Sequence, residues 1–148
     1  MKKLLGLVFL MLVLIAATTP IQNTFEQRNS IEGTWELVSH YNYDGENVTD
    51  TVFAVDGYRQ IKMYYNGKVM WTRYVPQDSV EWFGYGSYET TDSTLTEQLE
   101  YMSASMRKIA EEDMTWSMEL VLEEDKYSQI FVDDEGNRIN SENYIRLD

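Results

Sequence analysis

The chain has 148 residues, 12 Lys+Arg against 25 Asp+Glu for a formal charge of −13, one His and no Cys. That length suits one domain with a short processed segment, and the acidic balance speaks against a nucleic-acid partner, because phosphates are held by clustered Lys and Arg. Without cysteine there is no disulfide framework, no Cys-ligated zinc, no thiol nucleophile and no lipid-modified N-terminal Cys.

Residues 1–18 read as a secretory signal peptide. Lys2 and Lys3 form a positive start, residues 4–15 an apolar run, and Ala16, Ala17 and Thr18 the small residues that suit a signal peptidase. The apolar stretch 4–17 is shorter than the roughly 20 residues that span a bilayer, so no transmembrane span is expected after processing. The expected address is therefore export, to a periplasm or the extracellular space, and a mature chain without disulfides fits a bacterial envelope. Residues 19–30 are polar, contain Pro20 and lack periodicity; they read as a linker ahead of a domain at 31–148.

From Ile31 onward, short β-branched and aromatic runs alternate with turn residues. The spacing predicts strands over 34–43, 51–55, 61–65, 68–74, 80–89, 94–102, 115–122, 126–132 and 138–147. Asn66-Gly67 between the third and fourth is a two-residue loop suited to a type I′ turn, whose twist matches the flanking strands. Residues 103–113, rich in Ala, Met, Arg, Lys and Glu, are the one helix-like segment. The fold class is all-β: eight or nine antiparallel strands in up-and-down order with one short helix. Closure into a barrel is favoured over a sandwich, because few strands carry devices that protect an exposed edge.

Alternation assigns residues to faces. In the 58–74 hairpin one face carries Ile61, Met63, Tyr65, Met70, Thr72 and Tyr74. The other carries Tyr58, Gln60, Lys62, Tyr64, Val69, Trp71 and Arg73. Hydrophobicity alone would bury the first set, so the inward face stays open. Glu97 shares a face with Leu95, Leu99 and Tyr101, where an unpaired carboxylate is costly; Arg73 and Arg146 are its candidate partners. His40, out of phase with Trp35, Leu37 and Ser39, is expected at the surface. With no second histidine it completes no metal site, and no Gly-x-Ser-x-Gly elbow is present for a serine triad. Gly84 and Gly86 lie in a strand pattern with no helix after them, so they suit a bend or space for an aromatic and not a phosphate loop.

Gly33-Thr34-Trp35 in the first strand resembles the Gly-x-Trp signature of lipocalins and related calycin barrels, and Tyr144-Ile145-Arg146 resembles their closing strand. Glu32-Gly-Thr-Trp-Glu-Leu-Val-Ser39, Met70-Trp-Thr-Arg-Tyr74, Gly84-Tyr-Gly-Ser-Tyr88 and Thr94-Leu-Thr-Glu-Gln-Leu-Glu-Tyr101 are similar to secreted bacterial lipocalin-like domains of uncharacterised function. The resemblance covers about residues 31–148. It implies that Arg146 stacks over Trp35 to close one barrel end, and that Lys62, Tyr64, Trp71 and Arg73 face inward beside Glu97, Gln129, Tyr144 and Arg146. The expected function is non-enzymatic binding of a small, partly apolar ligand. Trp71 and Tyr64 would supply the wall, Lys62 and Arg73 would hold a head group, and Glu97 and Gln129 would orient them. No cofactor, metal or catalytic residue is implied. The alternatives are a side-chain-filled barrel acting as an envelope interaction module, with an apolar patch at Met63, Met70 and Tyr74, and a small barrel enzyme using Glu97 as acid or base.

Overall fold

Each punctuated run becomes a strand in the computed structural model, which describes residues 30–77, 80–110 and 114–148. In chain order these are β1 (Gly33–Asp44), β2 (Asn47–Phe53), β3 (Arg59–Tyr65), β4 (Lys68–Tyr74), β5 (Trp82–Thr90), β6 (Thr94–Met102), the short helix α1 (Ala104–Arg107), β7 (Thr115–Leu122), β8 (Lys126–Val132) and β9 (Arg138–Arg146). From β3 to β9 every strand pairs antiparallel with its successor. β1 closes the cylinder: residues Gly33 to Glu36 pair with β3, and Trp35 to Asn42 pair with β9. The result is a closed eight-stranded barrel, as favoured by the scarcity of edge-protecting devices, with β2 as an extra strand on the far half of β1. The predicted signal peptide and all of the predicted linker except Ser30 lie outside the described residues.

The β3–β4 turn has Asn66 at φ 49° and Gly67 at φ 72°, the positive pair that a type I′ loop demands. The strands it joins bury Gln60, Lys62, Tyr64, Val69 and Trp71 and expose Met63, Tyr65, Met70 and Tyr74. The more polar face therefore points inward. That inversion of the hydropathic preference is possible because the buried polar groups satisfy one another, and among the described residues no buried side-chain nitrogen or oxygen lacks a partner.

Two bulges move residues off their expected faces. Gly86 pairs with Leu99 and Tyr85 with Tyr101, leaving Glu100 as the extra residue, so Met102 turns inward and Tyr101 outward at 57% exposure. Tyr101 thus leaves the Glu97 face. At Gly86 a Cβ would lie 2.0 Å from the Gln98 carbonyl oxygen, which is why the bulge needs glycine. A second irregularity at Val38 puts His40 in register with Glu142, half-buried and not on the open surface.

One end of the barrel is packed shut. Tyr127 stacks on Tyr144 at 4.7 Å, and Trp35 meets Tyr127 edge-on at 4.8 Å. The Arg146 guanidinium lies 4.1 Å from the centre of the Trp35 ring. It donates to the carbonyl oxygens of Ser30, Glu32 and Glu124, while the Trp35 indole donates to Ile31. Arg146 thereby satisfies three backbone carbonyls from two chain segments. At the other end a second cluster of Trp71, Leu99 and Met102 packs against Trp82, Met106 and Trp116. α1 is shorter than the predicted 103–113 segment, of which 111–113 lie outside the described residues. Ser103 caps it by accepting from the Met106 amide. Among the described residues no helix is long and apolar enough to cross a membrane.

Candidate functional site

Strand alternation aims long polar side chains from β3, β6, β8 and β9 at the barrel axis, where two charge clusters form. The deeper one centres on Lys62 and Glu97, 4% exposed each. Lys62 Nζ lies 2.9 and 3.1 Å from the two Glu97 oxygens and donates to Gln129 Oε1 at 2.8 Å. The Tyr64 hydroxyl also donates to Glu97. Glu97 is therefore paired with Lys62; neither Arg73 nor Arg146, its candidate partners from sequence, fills that role. Alternation tells which face a residue occupies but not its height along the barrel, and height decides the partner.

The second cluster centres on Glu142. Its Oε2 accepts from Gln60 at 3.1 Å, from Gln129 at 3.0 Å and from the Tyr144 hydroxyl. Arg73 Nε donates to Gln60 Oε1 at 2.8 Å, as does the Tyr58 hydroxyl. Gln129, bonded to Lys62 through its oxygen and to Glu142 through its nitrogen, joins the two clusters. Arg73 Nη2 stands 3.8 Å from Glu142 Oε1, beyond hydrogen-bond range, and the guanidinium lies 5.7 Å from the Trp82 ring centre.

Burial, reinforced by the neighbouring carboxylates Glu97 and Glu142, pushes the phenols of Tyr64, Tyr127 and Tyr144 well above the ordinary tyrosine range. All three remain protonated donors at neutral pH. Tyr58 is raised as well, mainly by burial, with Arg73 opposing.

Above this polar floor is a cavity of about 160 Å³. Trp71, Trp82, Trp116, Leu99, Met118 and Phe131 make its apolar walls, with Met106 and Ile109 from the α1 region at its edge. Trp71 reaches inward because Gly84 stands opposite: a Cβ there would lie 2.6 Å from the indole nitrogen. Of the six residues proposed from sequence as ligand-binding, Lys62, Trp71, Arg73, Glu97 and Gln129 line the cavity. Tyr64 lies behind Glu97, packed against Tyr88 and Tyr127. Trp35 and Arg146 sit together at the closed end, away from the cavity.

Sequence reasoning passed over Glu142 and Trp82 and gave Gln60 no role. Glu142 carried a signal, standing two residues before Tyr144 on the same strand face. Trp82 carried none, because its inward lean comes from the β4 pairing with Arg73. Among the described residues no group of three or more His, Asp or Glu side chains is placed to hold a metal ion.

No protein-family model matches the sequence, and no curated protein matches it significantly. The fold is similar to a crystal structure of an uncharacterised protein from Bacteroides eggerthii, with a TM-score of 0.53 and 16% identity over 80% of this chain and 100% of that one. At that identity the likeness establishes shared architecture, the antiparallel β-barrel.

Proposed function

We propose that this is an exported, lipocalin-like protein that binds a small, partly apolar molecule in the open end of its barrel without transforming it. The observation that carries the reading is the cavity, with three tryptophans around a hydrogen-bonded polar floor. Small barrels are often filled by side chains; here the interior is packed at the Trp35 end, and the cavity lies at the other end, lined by Trp71. The size supports a modest cargo, since a cavity of about 150 Å³ admits a single benzene ring. The Gly-x-Trp and closing-arginine resemblance supports the lipocalin-like assignment, and the character of residues 1–18 supports export.

Lys62 bonds to both Glu97 and Gln129, so in this reading they form a rigid floor. Trp71 and Arg73 are then the residues that meet the ligand. The enzymatic alternative is weakened by the engagement of Glu97 with Lys62 and Tyr64. The filled-barrel interaction module loses its premise in the cavity, although Met63, Met70 and Tyr74 are exposed as that alternative requires.

Intrinsic fluorescence tests the reading directly, because three of the four tryptophans line the cavity. A panel of small ring compounds should change the emission saturably, and Leu99→Trp, which fills the cavity, should abolish the response while the protein still melts cooperatively. An unresponsive wild-type protein across the panel would refute ligand binding here.

A further inference from the structure

We propose that the cavity selects a neutral, planar ring compound with a hydrogen-bond donor beside an acceptor, such as the edge of a lactam or primary carboxamide, held between Arg73 and Glu142. This rests on the ligand-binding reading above and narrows it to a chemical class.

The Lys62–Glu97 pair is closed, with its remaining hydrogen bonds taken by Gln129 and Tyr64. The Arg73–Glu142 pair is open. Glu142 is clamped through Oε2 by Gln60, Gln129 and Tyr144, leaving Oε1 as the atom that faces Arg73. Arg73 is held through Nε by Gln60 and lies over Trp82. Both head groups are thus fixed by other partners, and the 3.8 Å between Nη2 and Oε1 is a built gap.

An amide edge fits that gap. Standard C=O and C–N lengths put the amide oxygen and nitrogen about 2.2 Å apart on one side of the molecule. Two hydrogen bonds of about 2.9 Å then reach anchors set somewhat wider, oxygen accepting from Arg73 and nitrogen donating to Glu142. Charge favours the same answer. Among the described residues the lining carries Lys62 and Arg73 against Glu97 and Glu142, which cancel. A carboxylate ligand would be attracted to Arg73 but set beside Glu142, and an amidinium would meet the reverse conflict, where Glu142 is mostly and Arg73 partly withdrawn from water. The indole faces of Trp71, Trp82 and Trp116 supply flat walls, and the volume limits the guest to about one ring.

Benzamide, benzoate and benzamidine share a ring and differ in whether that edge is neutral, anionic or cationic. Titrated into the wild-type protein by calorimetry and tryptophan fluorescence, benzamide should bind at least tenfold tighter than either ion. Glu142→Gln should shift preference toward benzoate, and Arg73→Gln toward benzamidine, each by about tenfold relative to benzamide. Benzoate or benzamidine matching or exceeding benzamide in the wild type would overturn the neutral-edge inference while leaving cavity binding in place. Failure of all three and of toluene would overturn cavity binding itself, and the inference with it. The decisive comparison needs no variant, so a misfolded substitution does not obscure it.

Discussion

Lys62 and Glu97 illustrate why a polar interior is costly to disturb at a single position. Each is almost wholly withdrawn from solvent, and each supplies the other's counter-charge. Lys62→Met leaves the Glu97 carboxylate buried with only Tyr64 to stabilise it, and breaking such a pair from one side costs about 3–5 kcal/mol. Adding Glu97→Gln removes the stranded charge while keeping an acceptor for Tyr64. The double variant should therefore be more stable than Lys62→Met alone by about 2 kcal/mol, as a coupled buried pair requires. Urea denaturation of the four proteins in the cycle measures this. Simple addition of the two single costs would mean that the ion pair contributes nothing beyond its parts.

Strands depend on local pattern for their existence and on bulges for their phase. At Gly86 the atom that a Cβ would strike is backbone, the Gln98 carbonyl oxygen at 2.0 Å, so no rotamer change relieves it. Gly86→Ala must open the β5–β6 ladder, at a cost of about 3 kcal/mol, the upper part of the range for overpacking. Gly84→Ala strikes the Trp71 indole, which has cavity space to move into, so it should cost less. Comparing the two midpoints in a thermal melt checks the order; equal losses would mean that the bulge tolerates a side chain. The same elements mark how far the fold is legible in sequence. Asn66-Gly67 and the β-branched runs specify strands and turns locally, so the order of elements and the barrel follow from them. Glu100 carries nothing that identifies it as a bulge residue, so the outward turn of Tyr101 and the inward turn of Met102 are settled only by pairing with β5. The candidate site was half legible for a related reason. Trp71, Arg73 and Lys62 share a face by alternation, whereas the pairing of Lys62 with Glu97, from strands 35 residues apart in sequence, is a property of the closed cylinder.

The barrel as a whole is bound to protonated tyrosines. Tyr64, Tyr127 and Tyr144 come from three different strands, are at most 2% exposed, and occupy the junction between the packed end and the charged floor. Their phenols titrate well above the ordinary value of 10.0, chiefly because burial disfavours phenolate and secondarily because Glu97 and Glu142 lie close. In the unfolded chain the same groups release their protons near pH 10, so above that pH the native state holds protons that the unfolded state has lost. The stabilisation is complete below pH 10 and is lost as pH rises toward the native values. Each such tyrosine removes up to about 1.4 kcal/mol per pH unit in that window, and three acting together exhaust a typical stability within a few units. Phenolate absorbance followed beside circular dichroism should therefore resolve two groups among the 11 tyrosines: exposed ones that ionise while the barrel is intact, and at least three that ionise only as it unfolds. Tyr127→Phe has no proton to lose at that position and should shallow the alkaline decline by about one third if the three contribute alike. Complete ionisation of all tyrosines with the native dichroism unchanged would mean that the interior tolerates phenolates, and that the protonated network is not what holds the charged floor to the closed end.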